Sequence, residues 1–266
     1  MKNNHYCECK KSFYKKIDLL TKKPKLEIDY GIKNYSRTIL QCSECKHIVN
    51  LHEYNFKSLY KGSYVKNNYI SLEGIQKNFK RIVNIKKKNS DNKNRVIRII
   101  NLLSLKKKTK ILDIGSGLGV FPFEMTKKGM IVDCVEKDIL LIKNLKYNFS
   151  TKIYKDIKEV KKKYFLITLN KVLEHIKNKK IFLKKILNLL KKNGFIYIEV
   201  PDYNAIFYGA KNREEFFIEH YHIFSEESLL KLAISLNLVL HSMARIKEPS
   251  GKFTLFGIFK KINNEN

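Results

Sequence analysis

The stretch Ile111-Leu-Asp113-Ile-Gly115-Ser-Gly117-Leu-Gly119 constrains the fold more than any other part of the 266-residue chain. An apolar, β-rich run ends in an acid and then in glycines at every second position. This reads as a strand turning into a helix, because glycine lets the backbone take positive φ and pass close to a ligand. Downstream the alternation repeats. Apolar runs short enough for buried parallel strands occur at 110–114, 131–135, 164–169 and 194–200. Between them lie helical patterns at Phe121–Lys128, at Ile139–Phe149, and at Ile181, Leu183, Ile186, Leu187 and Leu190, with Gly194 expected to close the last as a C-terminal glycine. Ser225-Glu-Glu-Ser228 carries an N-cap and acids that suit a helix start. The segments near 238–246 and 253–260 read as an antiparallel hairpin. Such alternation predicts an α/β fold, a mostly parallel sheet with helices on both faces.

The chain upstream has a different texture, and the sequence divides at about residues 62 and 108. Residues 1–62 hold two cysteine pairs, Cys7-Glu-Cys9 and Cys42-Ser-Glu-Cys45, and short apolar runs at Lys25–Tyr30 and Thr38–Leu40. In a reducing cytosol, paired cysteines point to a metal rather than disulfides. Four thiolates make a closed tetrahedral zinc site of the structural kind, with His5 or His47 as a substitute ligand. Residues 63–108 read as two helices, on Ile75, Phe79, Ile82 and Val83 and on Val96, Ile99, Ile100 and Leu103, parted by the polar break Lys88–Lys93. Residues 109–266 form the α/β domain, in which Cys134 is a small buried apolar residue. The N-terminus lacks the apolar stretch of a secretion signal, and no run approaches the ~18 apolar residues of a membrane helix, so the expected location is the cytoplasm.

Lysine and arginine number 54 against 25 acids, a formal charge of +29. A basic surface is the footprint of phosphate binding. Here, however, arginine occurs only at Arg37, Arg81, Arg95, Arg98, Arg213 and Arg245, and nucleic-acid surfaces lean on its planar fork. The lysine runs 86–88, 106–108 and 161–163 sit between apolar segments, as solvated turns do. A small-molecule partner is therefore favoured over nucleic acid.

Ligands in open α/β sheets bind beyond the carboxyl ends of the strands, which is where the glycine turn lies. A nicotinamide-type turn needs Gly-x-Gly-x-x-Gly, and its third glycine would fall at Val120. The spacing Gly115-x-Gly117-x-Gly119 behind Asp113 favours a cofactor bearing an ammonium group over one bearing a pyrophosphate. Glu136, after the strand 131–135, is placed to accept both hydroxyls of a ribose. Asp156 can take an adenine amino group while Ile157 packs on the ring, and Asn170 ends the strand 164–169.

These residues resemble the class I S-adenosylmethionine-dependent methyltransferases over 109 to about 260. Asp113–Gly119 looks like that family's first motif, Glu136 its ribose acid and Asp156 its adenine contact. Val172-Leu-Glu-His-Ile176 and Leu189–Gly194 with Ile196–Pro201 look like its later motifs. The resemblance implies a seven-stranded Rossmann-like sheet whose last strand is antiparallel, and S-adenosylmethionine as cofactor.

The acceptor side is read from Glu219-His220-Tyr221-His222, ahead of the helix near Ser225. Histidine suits proton transfer near neutrality, so His220, Glu219 and His222 are the candidate catalytic residues. Glu174 and His175 either anchor the loop after the fourth strand of the α/β domain or face the acceptor. With the cysteine pairs and Leu59–Tyr64 included, the chain resembles the sugar C-methyltransferases, which carry an N-terminal zinc-binding module and act on nucleotide-linked sugars. Glu219 and His220 match their Tyr-x-Glu-His segment, whereas Phe217 stands where they have tyrosine. The resemblance implies C- or O-methylation of a nucleotide sugar in carbohydrate biosynthesis. The rivals are an RNA base methyltransferase with a zinc ribbon and a non-catalytic binding protein of the same fold.

Overall fold

A computed structural model describes residues 6–9, 13–54, 71–208 and 213–261. The expected boundary at 62, the alternative ligand His5 and the segment Leu59–Tyr64 lie outside the described residues. From residue 110 the chain builds β4 (Lys110–Ile114), α3 (Val120–Lys127), β5 (Ile131–Val135), α4 (Ile139–Asn148), β6 (Ile153–Tyr154), β7 (Tyr164–Asn170), α5 (Lys179–Leu187) and β8 (Leu190–Pro201). The two-residue β9 (His222–Ile223) then precedes α6 (Glu226–Ile234) and the hairpin β10 (Leu238–Lys247) and β11 (Phe253–Lys261). Seven strands form one sheet in the order β10-β11-β8-β7-β4-β5-β6. Strands β4 to β8 are parallel, and β11, the last in the chain, runs antiparallel to β8 and to β10. The order reverses at β4, with β5 on one side and β7 on the other. In open α/β sheets the ligand crevice lies at such a switch point, beyond the strands' carboxyl ends, here near Asp113 and Asn170.

Alternation along the strands feeds two cores. Ile111 pairs with Leu166 and Leu112 with Ile167. Ile111, Leu166 and Tyr197 pack on one face beneath Val96, Ile99, Phe121 and Met125. Leu112, Ile167 and Ile198 pack on the other beneath Leu183, Ile186, Leu229 and Leu232. The first face is covered by α3 and by α2 (Asp91–Leu103), which starts on the cap Ser90. Before it, α1 (Leu72–Val83), capped by Ser71, lays Phe79 against Phe123 and Phe149. The Ser225–Ser228 capping box starts α6 as the sequence predicts.

Gly194 departs from expectation. Helix α5 ends at Leu187 with Asn188 as its cap, and Gly194 lies inside β8. The β7–β8 register slips between Tyr164 and Leu166, and a Cβ at 194 would stand 2.9 Å from the Phe165 carbonyl oxygen. The glycine serves a close approach of two strands at an irregularity, not a helix end.

The N-terminal residues form a second, antiparallel sheet, β1 (Tyr14–Leu20), β2 (Arg37–Cys42) and β3 (Ile48–Leu51), with β9 as its fourth strand. Ile48 pairs with Ile223 and Val49 with His222. The cysteine-bearing segment and the α/β domain therefore share one sheet. Lys25–Tyr30 forms no strand; Glu27 within it is buried.

Candidate functional site

The site begins at the glycine turn. Gly115, Gly117 and Gly119 all have positive φ, at 73°, 52° and 83°. A Cβ on Gly115 would meet Val172 at 2.6 Å, and one on Gly119 would meet Leu145 at 2.6 Å and Phe149 at 2.8 Å. Around Gly117 the nearest atom to such a Cβ is the Gly115 carbonyl oxygen at 4.0 Å, so this position faces open space. The turn is fastened by Gly115 N–H to the Val135 carbonyl (2.8 Å) and by Gly117 N–H to Glu136 Oε2 (2.8 Å).

Glu136 stands at the end of β5, partly buried, with Oε1 accepting from the N–H groups of Lys137 and Asp138 at 2.7 and 3.0 Å. Burial raises its pKa, against the pull of those backbone donors. Asp113, next to last in β4, is only 2% exposed. Its Oδ1 accepts from Thr168 Oγ1 (2.6 Å) and from Asn170 Nδ2 (2.9 Å) on β7. Burial pushes the Asp113 carboxyl up to about 6, with both bonds pulling the other way. Asn170 Oδ1 is buried without a hydrogen-bond partner. Asp156 caps a 3-10 turn through Lys158 N–H (2.9 Å), and Ile157 beside it packs partly on the core. The three strand ends thus bring Asp113, Glu136 and Asn170 around the turn, while Asp156 and Ile157 follow β6 at the sheet's edge. Open space at Gly117, a backbone-held carboxylate at Glu136 and the unpartnered Asn170 carbonyl fit a polar cofactor laid along this edge.

A second group of side chains comes from the connection between β8 and α6. Glu219 is 8% exposed and its Oε2 has no hydrogen-bond partner. Burial, with Glu27 adding repulsion, pushes its carboxyl up to about 7. His220 donates Nδ1–H to the Glu215 carbonyl (3.0 Å), and burial holds its pKa well below the usual value. His175 donates Nδ1–H to the Glu219 carbonyl (3.1 Å), and its pKa falls to about 4 by burial. Glu174, fully buried, is pushed up to about 8 by that burial.

His222, expected among the catalytic residues, is elsewhere engaged. Its Nε2–H donates to the Lys177 carbonyl (3.1 Å), so Nδ1 accepts from His47 Nε2–H (3.1 Å). It is 3% exposed and belongs to the seam between the sheets. Sequence reasoning did not find the residues that hold the Glu219–His220 connection. Asn50 Nδ2 reaches the Phe217 and His220 carbonyls at 3.2 and 2.8 Å. Glu27 Oε2 accepts from Ile218 N–H (2.8 Å) and pairs with Arg37 (3.2 Å), which also donates to the Phe216 carbonyl. Only the burial of such polar groups signals their role, and burial is not visible in their local pattern.

Cys7, Cys9, Cys42 and Cys45 are all buried, with their sulfurs within 4.8 Å of one another. A tetrahedral zinc site with Zn–S bonds of about 2.3 Å sets its sulfurs roughly 3.8 Å apart; Cys7 and Cys42 lie 3.6 Å apart. Tyr14 Oη donates to Cys7 Sγ (2.9 Å) and Lys231 Nζ to Cys9 Sγ (3.2 Å), donors suited to an anionic thiolate cluster. His47 takes no part in this cluster.

Among solved structures, a Burkholderia thailandensis 1,6-didemethyltoxoflavin N1-methyltransferase, solved with S-adenosylhomocysteine bound, is similar at TM-score 0.54 and 14% identity, covering 83% of this chain and 98% of that one. A Synechocystis PCC 6803 magnesium protoporphyrin IX methyltransferase, also with S-adenosylhomocysteine, aligns at TM-score 0.57 and 12% identity over 76% of this chain and 100% of that one. The N-methyltransferase NodS of Bradyrhizobium japonicum WM9 aligns at TM-score 0.50 and 13% identity, covering 71% and 99%. At such identities these likenesses speak for the fold. No curated protein matches the chain by sequence. Compared with protein families, residues 88–243 match the family described as the methyltransferase domain. That span exceeds half of the chain, and this chain belongs to the methyltransferase domain family.

Proposed function

We propose that the protein is an S-adenosylmethionine-dependent methyltransferase of a small molecule, with a sugar carried on a nucleotide as the acceptor class. The observation that carries the reading is the crevice at β4, β5 and β7, where open space at Gly117 lies beside the backbone-anchored Glu136 carboxylate. Glu136 would accept the ribose hydroxyls, Asp113 and Asn170 would face the amino-acid end, and Asp156 with Ile157 the adenine. When bound, the cofactor supplies an activated methyl group, so the protein's main task is to hold the acceptor in line with it. A hydroxyl or carbon acceptor must also lose a proton. Glu219 carries a buried, unpartnered carboxylate oxygen on the connection before α6, with His220 beside it, and these two are assigned to the acceptor side.

The cysteine cluster is assigned a structural zinc ion. Metal analysis of the purified protein should then give about one zinc per chain, and a well-folded, metal-free protein would remove that assignment. The acceptor class is tested by offering nucleotide sugars, related small metabolites and RNA to the enzyme with methyl-labelled cofactor. Label on a nucleotide sugar is expected. Label on RNA alone, with steep salt dependence from counterion release, would replace the sugar by a nucleic acid.

A further inference from the structure

The turn after β7 and the connection before α6 bring together three side chains that cofactor binding does not require as a set. One ligand atom from each of Glu174, His175 and His220 lies within 4.8 Å of the other two. The two rings stand edge to face with centroids 4.7 Å apart. Each ring points Nδ1 at a backbone carbonyl, His175 at Glu219 (3.1 Å) and His220 at Glu215 (3.0 Å). A carbonyl oxygen only accepts, so Nδ1 carries the hydrogen in both and Nε2 carries the lone pair. Metal-bound imidazoles are oriented in this way, with the outer N–H fixed on a carbonyl.

Glu174 supplies an independent observation. Its side chain is 0% exposed, and neither carboxylate oxygen has a hydrogen-bond partner. The nearby cation Lys171 spends its ammonium on the Val200 carbonyl (3.1 Å) and Thr254 Oγ1 (2.7 Å). A buried carboxyl with no hydrogen-bond partner takes its charged form only when a cation is within reach. His175 and His220 are only partly buried, which leaves the cluster a way in from solvent.

We propose that Glu174, His175 and His220 bind one divalent transition-metal ion, separate from the cysteine cluster. Two imidazoles and one carboxylate suit manganese, iron, cobalt, nickel or zinc and leave coordination positions open. The open positions are suited to an oxygen of the methyl acceptor, a role that rests on the reading of Glu219 as the acceptor side. His220 is then a ligand, and the adjacent Glu219 keeps its carboxylate for the acceptor's proton.

The test is a titration with Mn2+ of the full chain carrying one equivalent of zinc, which the four thiolates take first, following the free ion by electron paramagnetic resonance. Manganese is a hard ion that does not compete for thiolates, so the cysteine cluster stays silent. One bound Mn2+ per chain is expected, with at least about tenfold weaker binding in Glu174→Gln and in His175→Gln. No binding by the wild type, or equal binding by the wild type and both variants, overturns the site. S-adenosylmethionine titrated into the same samples is read separately. Mn2+ binding without cofactor binding keeps the ion site and removes the methyl-transfer reading, and cofactor binding without Mn2+ does the reverse.

Discussion

Three glycines share the turn after β4, yet a side chain would cost different things at each. At Gly119 a Cβ collides with the buried Leu145 and with Phe149 at a φ of 83°. Left-handed backbone and overpacking together predict that Gly119→Ala destabilises the fold by roughly 2–5 kcal/mol. At Gly117 the space is open, so Gly117→Ala should cost only about 1–2 kcal/mol of stability while obstructing the cofactor. Chemical denaturation and cofactor titration of the two variants separate these effects; equal stability losses would contradict the difference in surroundings. Asp113 gives a pH signature. Burial lifts its carboxyl to about 6, so it is ionised above that pH and increasingly neutral below. If its charge meets the cofactor's ammonium, affinity is level above about pH 7 and falls as pH drops through about 6. Calorimetry across roughly pH 5 to 8 should show this loss in the wild type and a flat profile in Asp113→Asn.

At the level of elements, α2 is tied to the sheet by charge as well as by Val96 and Ile99. Arg95 Nε donates to Glu199 Oε2 on β8 (2.7 Å), and Arg98 reaches the same oxygen (3.1 Å), as does Tyr197 Oη (2.7 Å). Burial works against the Glu199 charge, but the two guanidiniums and Lys171 pull its carboxyl down to about 2. Removing one partner strands a buried charge, so Arg95→Met should destabilise the protein by about 3–5 kcal/mol in urea unfolding, and a change below about 1 kcal/mol would mean the network is slack. Helices and buried strands of this domain were legible because each carries a run of apolar residues at a period of its own. Strand β1 was not, since Lys15, Lys16 and Asp18 interrupt it at a sheet edge. Nor was β9, two residues long, whose pairing with β3 is a contact between distant parts of the chain. The same limit applies to the site. Asp113, the glycines and Glu136 announce themselves by order and spacing, whereas Thr168 and Asn50 matter only through partners that folding brings near.

On the scale of the whole molecule, the N-terminal sheet is a brace for the 216–223 connection, the segment proposed to face the acceptor. It lends β3 to β9, Asn50 and Arg37 to the carbonyls of 216–220, and the Cys45 carbonyl to the Ser225 hydroxyl that starts α6. If the cysteine cluster holds the proposed zinc, stripping that ion is expected to lower the melting temperature and to speed amide exchange at residues 216–223; exchange unchanged there would separate the two regions. Among the described residues no helix is long and apolar enough to cross a membrane. The crevice at the β4 switch point remains the centre of the account, and calorimetric titration with S-adenosylmethionine tests it most directly. One molecule should bind per wild-type chain, and Glu136→Ala, lacking two charge-assisted bonds, should bind roughly a hundredfold more weakly or worse. A folded wild-type protein that takes up no cofactor, or a Glu136→Ala variant of unchanged affinity, would contradict it.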